Sequence, residues 1–296
     1  MDVFCDTFYA MGTRLSLVIP QINKLYCENV SQEIKAEILR IENKLSFFNP
    51  NSDVSLINRD AVHHELKIDK ETCSLIAKSL EHHQLTGGAF DICKAALKHG
   101  LPNSSNNGCE SIVLDTKAST ICLKSDHLKI DLGGIGKGYA LERAKKILLQ
   151  ANVDNALVSF GESSILALGN QPGGNCWKVG LRSKKNTEKF VHKFNLYNSS
   201  ISISGDWHFH DNLGVASNTH IVDPLSNKLL SKNKLIAVHC ESPLEAEILS
   251  TALYTKSDEE ITSIVQQLKG IKCISHSLQK EREVLTDYQA VNKVQF

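Results

Sequence analysis

The segment KIDLGGIGKGYALERA, residues 129–144, constrains the fold of this chain more than any other stretch. It places Asp131, four glycines and Lys137 between an apolar run and a run with a helical pattern. Glycine is unfavourable inside regular elements and useful where the backbone must approach another group closely. The pattern therefore predicts a tight turn before a helix, with backbone groups lying against a ligand.

Two familiar phosphate-binding patterns do not fit this turn. A P-loop requires Ser or Thr after its Gly-Lys pair, but Gly136 and Lys137 are followed by Gly138. A dinucleotide-binding fingerprint requires a glycine where Tyr139 stands. Asp131 also adds a negative charge, which repels a phosphate unless a metal or a donor lies between them. The segment alone indicates close approach to a ligand, and a purely structural turn stays an alternative.

Three later stretches carry polar groups that invite a functional interpretation. SISGDW sets Ser204 and Gly205 in a polar turn after a strand, and THIVDP places His220 before an Asp-Pro turn. LEAEILSTALY sets Glu247 and Thr251 four residues apart on an apolar helix, so both side chains point the same way. A buried carboxylate is costly unless it is satisfied. A capping network and a simple turn are the alternatives that need no ligand.

Composition narrows the class of protein. Lys and Arg together number 33, as do Asp and Glu, so no nucleic-acid or anionic membrane partner is expected. A hydrophobic content of 42% supports a sizeable core, and no apolar run reaches the roughly 18 residues that span a bilayer. The first 20 residues lack a basic region before an apolar block, so we expect no signal peptide and a cytoplasmic location.

The cysteines form no recognisable framework in the sequence. Nine are scattered along the chain, and none belongs to a C-x-x-C pair. This spacing argues against a disulfide scaffold or a zinc site. It predicts buried thiols in a reducing compartment.

The order of the predicted elements indicates an α+β fold with mixed or antiparallel sheets and packed helices. Apolar residues at 34, 38, 41 and 45 predict a helix over 29–45. We expect one domain over residues 1–296, with a core of about 8–275, or two intimately packed subdomains. Further helices are predicted at 69–84 and 243–255, and strands at 12–19, 155–168, 176–183, 198–204 and 234–240.

Seven motifs, taken in order, resemble those of the ApbE-type FAD:protein FMN transferases, a bacterial flavin transferase family. They are AMGTRLSL, FFNPNSDVSLIN, TGGAFD, IDLGGIGKGYALERA, SGDW, HIVDP and AEILSTA, and they span nearly the whole chain. The resemblance implies the family's fold and a Mg²⁺-dependent enzyme. Such an enzyme moves the FMN half of FAD to a Ser or Thr hydroxyl of a target protein and releases AMP. FAD is then a substrate, and the target protein is a partner.

The resemblance also implies roles for individual residues. Glu247, Thr251 and the backbone carbonyl of Gly134 would hold Mg²⁺, so Glu247 would also serve catalysis. His220 would take the proton from the incoming hydroxyl. The residues implied in FAD binding are Met11, Phe48, Gly88, Ala89, Phe90, Asp131, Lys137, Ser204, Gly205 and Ile221.

Some positions depart from the family pattern and leave other functions open. Glu247 is one methylene longer than the family's Asp, Ile203 stands where Thr is common, and Glu162 replaces a glycine. KAALKHGLPN stands where the family has an apolar run with Trp, which leaves the ring contacts of FAD open. The alternatives are an FAD pyrophosphatase, with water in place of the protein hydroxyl, and a non-catalytic FAD-binding protein. Glu247, Thr251 and His220 favour an enzyme over a binding protein.

Overall fold

The structure is a computed structural model that describes residues 3–20, 23–99, 108–183, 185–186, 188–205, 221–230, 232–279, 282–289 and 292–295. The helices are α1 Lys24–Leu45, α2 Asp53–Asp60, α3 Lys70–Leu85, α4 Gly133–Gln150, α5 Pro243–Thr255 and α6 Asp258–Gln267. Two short 3₁₀ helices cover Lys94–His99 and Cys109–Ser111.

The strands are β1 Phe4–Ala10, β2 Thr13–Ile19, β3 Leu66–Lys67, β4 Ile112–Asp115, β5 Thr120–Leu123, β6 Ala156–Phe160, β7 Ser164–Leu168, β8 Trp177–Arg182, β9 Phe190–Leu196, β10 Ser199–Gly205, β11 Val222–Asp223, β12 Lys228–Leu229, β13 Lys234–Cys240, β14 Lys272–Gln279, β15 Arg282–Asp287 and β16 Asn292–Gln295. Nine of them form one sheet in the order β1-β2-β6-β7-β10-β13-β14-β15-β16. Each neighbouring pair in this sheet is antiparallel. The predicted α+β class with antiparallel sheets is confirmed.

The nine-stranded sheet is buried on both faces near its centre. All five residues of β7 are buried. Leu166 and Leu168 join the core formed with α1 and α4, whereas Ile165 and Ala167 join the core covered by the β8–β9 hairpin. Because side chains alternate along a strand, a continuous apolar run is what a strand between two cores requires. The sheet therefore has a helical layer on one side and a β-hairpin on the other.

Helix α5 is apolar on nearly every side, as a helix packed between other elements must be. Leu244, Ile248 and Ala252 enter the core shared with α4. Leu249 and Leu253 enter a second core shared with β13 and α6. The remaining polar stripe of α5 carries Glu247, Ser250 and Thr251.

The glycine-rich segment is helical, which corrects the prediction of a tight turn. Helix α4 begins at Gly133, and Gly134, Gly136 and Gly138 lie in its first two turns. None of these four glycines adopts a positive φ. Gly138 serves close packing instead, because a Cβ there would lie 2.6 Å from the Pro243 carbonyl oxygen and 2.9 Å from Leu244 Cα. The predicted local conformation is wrong, and the close approach seen at Gly138 is to another helix, whereas approach to a ligand stays a prediction.

The predictions about the cysteines and about membrane-spanning segments can be compared with the structure. Eight of the nine cysteines are buried, and all nine are free thiols. Among the described residues, no helix combines the length and apolar character needed to cross a bilayer. The single-domain organisation stays a prediction.

Candidate active site

One cavity brings most of the predicted site residues together. It has a volume of about 680 Å³ and lies between the start of α4, the middle of α5 and the end of β10. Residues of the β6–β7 turn and the β8–β9 hairpin also line it. The predicted residues in its lining are Ala89, Phe90, Asp131, Gly134, Lys137, Ser204, Gly205, Ile221, Glu247 and Thr251.

The start of α4 is suited to receive an anion. Gly133 and Gly134 line the cavity at the first turn. The first N–H groups of a helix lack internal partners and favour negative charge. At Gly134 the backbone is open, since a Cβ there would meet only the Phe90 ring, at 3.8 Å. A phosphate group can therefore come close to this helix terminus.

Asp131 is buried at the entrance to α4 and paired with two basic side chains. Its Oδ2 lies 2.6 Å from Lys98 Nζ and 2.9 Å from His99 Nε2. Its Oδ1 accepts the Gly133 N–H at 2.7 Å. Burial by itself would raise the pKa of Asp131, but the Lys98 ammonium and the hydrogen bonds outweigh it, so the pKa lies below its usual value. Asp131 is thus an ionised group whose charge is compensated.

Lys98 and His99 were missed by sequence reasoning. They lie in the segment KAALKH, which folds as a 3₁₀ helix, and Lys98 also lines the cavity. The His99 ring stacks on Phe47 with a centroid distance of 4.1 Å. A lysine followed by a histidine matches no known sequence motif. Only the tertiary structure shows that both side chains reach Asp131.

Glu247 is the buried carboxylate that joins α5 to α4. It is 3% exposed, and its Oε1 lies 2.5 Å from Lys137 Nζ. Its Oε2 accepts the N–H of Gly138. In a regular helix that N–H points at the carbonyl of Gly134, four residues earlier. Glu247, Lys137 and the Gly138 N–H therefore meet at one edge of the cavity, which Gly134 also lines.

A chain of hydroxyl groups continues from Glu247 to the end of β10. Ser204 Oγ lies 2.8 Å from Ser250 Oγ and 3.3 Å from Thr251 Oγ1. Ser250 Oγ donates to Ser202 Oγ at 3.1 Å. Hydroxyls can donate or accept, so this chain can adjust to a ligand or an ion in the cavity. Ser250 was not predicted, although it lies on the same helix stripe as Glu247.

Asn58 positions the segment that leads into α4. Its side-chain amide donates to the Ile130 carbonyl at 2.9 Å, and its Oδ1 accepts the Ile130 N–H at 2.7 Å. The two bonds fix the residue immediately before Asp131. Asn58 belongs to the motif FFNPNSDVSLIN, but only the structure shows that its side chain holds the segment before Asp131.

Three described residues that were predicted for the site do not line this cavity. Met11 lies in the β1–β2 turn, where its N–H donates to Glu42 Oε1 at 2.8 Å. Phe48 is 77% exposed and meets the His99 ring edge to face. Gly88 lines a second cavity. His220 lies outside the described residues.

The chain matches one protein family over most of its length. The profile of the ApbE family covers residues 11–275. Several relatives are described as FAD:protein FMN transferases. One from Buchnera aphidicola subsp. Baizongia pistaciae is 23% identical over 90% of this chain and 84% of its own length. One from Chlamydia trachomatis is 26% identical over 79% of this chain and 78% of its own length.

Solved structures share the fold at low sequence identity. The flavin transferase ApbE from Vibrio cholerae has a TM-score of 0.83 and 18% identity, covering 98% of this chain and 99% of its own. The ApbE protein from Thermotoga maritima has a TM-score of 0.79 and 23% identity, covering 99% and 96%. The profile match spans far more than half of the residues, and the fold agrees from end to end. The chain belongs to the ApbE family.

Proposed function

We propose that this protein transfers the FMN moiety of FAD to a Ser or Thr hydroxyl of a target protein and releases AMP. The relatives described as FAD:protein FMN transferases support this assignment. The observation that carries it is the meeting of Glu247, Lys137 and the start of α4 at the edge of one large cavity. That arrangement suits a diphosphate, which needs an anion-binding helix terminus and positive charge.

The residues at this edge fit a magnesium ion. Glu247 offers a carboxylate, Gly134 a backbone carbonyl and Thr251 a hydroxyl. Magnesium prefers such hard oxygen ligands and is commonly held by one or two carboxylates together with substrate phosphates. A bound Mg²⁺ would neutralise charge that develops on the phosphate oxygens.

The chain's own residues supply binding and orientation. The Gly133 N–H is bonded to Asp131, so the start of α4 attracts the diphosphate through the positive end of its helix dipole and the open backbone at Gly134, and Lys137 adds a positive charge beside it. Asp131, held by Lys98 and His99, fixes the geometry of the helix start. Phe90, in the cavity wall, offers an aromatic surface to the ligand. Positioning of this kind accounts for much of the rate of a phosphoryl transfer.

The transfer exchanges the phosphoanhydride bond of FAD for a phosphodiester bond to the target. The hydroxyl oxygen of the target bonds to the phosphorus of the FMN half, and the bond to AMP breaks. The hydroxyl proton passes to a base, for which we propose His220 from its place in HIVDP. A general base contributes about 10²–10⁴-fold, so His220→Ala should bind FAD and transfer FMN slowly.

The test is to incubate the protein with FAD, Mg²⁺ and a candidate flavoprotein acceptor, and to weigh the acceptor by mass spectrometry. A mass gain equal to covalent FMN, with one AMP released for each FMN attached, supports the proposal. Release of FMN and AMP at the same rate with or without acceptor would identify a pyrophosphatase instead. FAD binding without any product would identify a non-catalytic binding protein.

A further inference from the structure

A second cavity, of about 660 Å³, lies beside the active-site cavity and shares Asp91 with it. It is lined by the end of α3, the Gly87–Gly88 turn and the segment around Cys109. None of the proposed Mg²⁺ ligands lies in its lining. Its chemistry is therefore separate from that of the FAD site.

Three ligating side chains of different elements converge in this second cavity. One donor atom from each of His83, Asp91 and Cys109 lies within 4.8 Å of the other two. Cys109 Sγ is 3.3 Å from Asp91 Oδ1, and His83 Nδ1 is 3.6 Å from Asp91 Oδ2. Sulfur, imidazole nitrogen and carboxylate oxygen thus meet at one place.

The local backbone is shaped so that these groups can meet. A Cβ on Gly108 would lie 2.2 Å from Asp91 Oδ2, so a side chain there would push the chain away. The N–H groups of Cys93 and Lys94 donate to Asp91 Oδ1, at 2.7 and 2.9 Å. The Cys109 N–H donates to Asp91 Oδ2 at 3.2 Å. Asp91 is held in one orientation while it faces Cys109.

The imidazole of His83 is oriented in the way that metal-binding histidines usually are. Its Nδ1, although 3.6 Å from Asp91 Oδ2, donates to the Phe90 carbonyl oxygen at 2.9 Å, so the lone pair available to a metal ion is the one on Nε2. That Nε2 lies 3.3 Å from Glu110 Oε1. Two acceptors at this distance repel each other unless a proton or a metal ion lies between them. The position therefore calls for a positive charge.

We propose that His83, Asp91 and Cys109 bind one divalent cation of the zinc class. The fourth coordination position faces the second cavity. Zinc takes thiolate, imidazole and carboxylate ligands with bonds of about 2.0–2.3 Å, so small movements of these side chains close the shell. Magnesium avoids sulfur and nitrogen, which separates this site from the one at Glu247.

Bound zinc would brace a wall of the active-site cavity. Asp91 follows Ala89 and Phe90, which line that cavity, and the Ile92 carbonyl accepts the Asp131 N–H at 2.8 Å. The metal would connect this wall to the end of α3 and to Cys109. The spacing of the cysteines predicted no zinc site, because the ligands come from separate elements.

The test uses Co²⁺ alone, added to the full protein after treatment with a chelator. Thiolate bound to cobalt absorbs in the near ultraviolet, whereas the oxygen ligands around Glu247 give no such band. We expect one equivalent of Co²⁺ to produce the band, a matching amount of Zn²⁺ to remove it, and excess Mg²⁺ to leave it unchanged. Absence of the band in the wild-type protein would overturn the proposal.

Variants show whether the band comes from this cluster. Cys109→Ser should abolish the band. His83→Gln should weaken Co²⁺ binding by at least about tenfold, because even the outer-shell partners of metal ligands contribute about 10–100-fold to metal affinity. The matched control is Cys122→Ser, which removes another buried thiol, on β5, and should keep the band. Circular dichroism and FAD binding establish that each variant is folded. A band retained in both Cys109→Ser and His83→Gln, or lost equally in Cys122→Ser, would place the metal elsewhere.

Discussion

Glu247 is the buried carboxylate at which charged groups of two helices meet. Its longer side chain reaches both Lys137 and the N–H of Gly138 on a neighbouring helix. A buried carboxylate with only two donors has lone pairs left for a cation. Glu247 can therefore keep its contacts to α4 and still face a cation.

We predict that Glu247→Gln raises the Mg²⁺ concentration needed for half-maximal FMN transfer by roughly 10–100-fold. This range corresponds to the about 1.5–3 kcal/mol that a hydrogen bond to a charged group contributes. FAD should still bind in the absence of metal. Glu247→Asp keeps the charge but draws it back from Gly138, so its effect should be smaller. The measurement is initial rate against Mg²⁺ concentration.

The control for this prediction lies on the same helix. Glu245→Gln removes a carboxylate that faces Lys78 at the surface, and it should leave the Mg²⁺ dependence unchanged. Normal turnover of Glu247→Gln at low Mg²⁺ would show that the ion is held by other residues.

At the scale of elements, α4 approaches α5 closely at Gly138, which has a hydrogen atom where any other residue carries a Cβ. Gly138 lies against the backbone of Pro243 and Leu244, which cannot rotate away as a side chain can. We predict that Gly138→Ala lowers the free energy of unfolding by about 1–3 kcal/mol, the usual cost of overpacking. The measurement is urea unfolding followed by circular dichroism.

The same helix supplies a matched control for Gly138. A Cβ on Gly136 would meet only Met11 Sδ, at 3.8 Å, an ordinary contact. Gly136→Ala should be neutral or stabilising by up to about 1 kcal/mol, because alanine favours the helix. Equal losses in both variants would mean that α4 requires glycine for its conformation and not for its packing.

A charged network on the outer side of α1 predicts a specific acid sensitivity. Glu37 contacts Arg40 on its own helix and Arg143 on α4, at 2.8 and 2.7 Å. The hydrogen bond from Arg40 is the main cause that lowers the pKa of Glu37 to about 2, against an ordinary value of 4.5. A lowered pKa stabilises the folded state above pH 4.5. That stability is lost as the pH falls from 4.5 towards 2.

We therefore expect the melting temperature of the wild type to fall between pH 4.5 and pH 2. Glu37→Gln should have a lower melting temperature at pH 7 and a smaller further decrease between pH 4.5 and pH 2. The measurement is the melting temperature from pH 7 to pH 2.5. Glu28→Gln, on the same helix and paired with a largely exposed Lys24, serves as the control and should behave like the wild type. If Glu37→Gln showed the same dependence of melting temperature on pH as the wild type, the Glu37 network would not be the cause of the acid sensitivity.

Periodicity predicted elements well where one face of a helix is apolar, and poorly elsewhere. The apolar spacing in α1 and α3 is present in the sequence, and both helices formed. The first two turns of helix α4 were mistaken for a tight turn, because Gly138 serves a contact with α5 that only the fold reveals. Helix α6 was missed, although Ser257 and Glu260 form a capping box that the sequence displays.

The site shows the same division between local and tertiary information. The spacing of Glu247 and Thr251 places them on one helix stripe, so their proximity could be predicted. The pairing of Asp131 with Lys98 and His99 could not, because it joins segments more than 30 residues apart. The approach of Cys109 to Asp91 likewise depends on how two loops pack.

For the whole molecule, the Lys137–Glu247 ion pair links metal binding to nucleotide binding. A cation at Glu247 would release Lys137 from its present partner, so that its charge could turn towards a phosphate. We predict that Mg²⁺ tightens FAD binding and that FAD tightens Mg²⁺ binding by the same factor, as thermodynamic linkage requires. The measurement is calorimetric titration of each ligand with and without the other. FAD affinity that is independent of Mg²⁺ would contradict the prediction.

The strand order of the large sheet has a consequence in time. Strand β2 pairs with β6, so Leu15 lies opposite Phe160. The ribosome synthesises β6 only after about half of the chain has been translated. At roughly 5–20 residues per second, the ribosome needs on the order of 10 s to deliver it. Until then one edge of the N-terminal hairpin has no strand beside it and can pair with another chain. A fragment that ends before Ala156 would keep that edge open permanently.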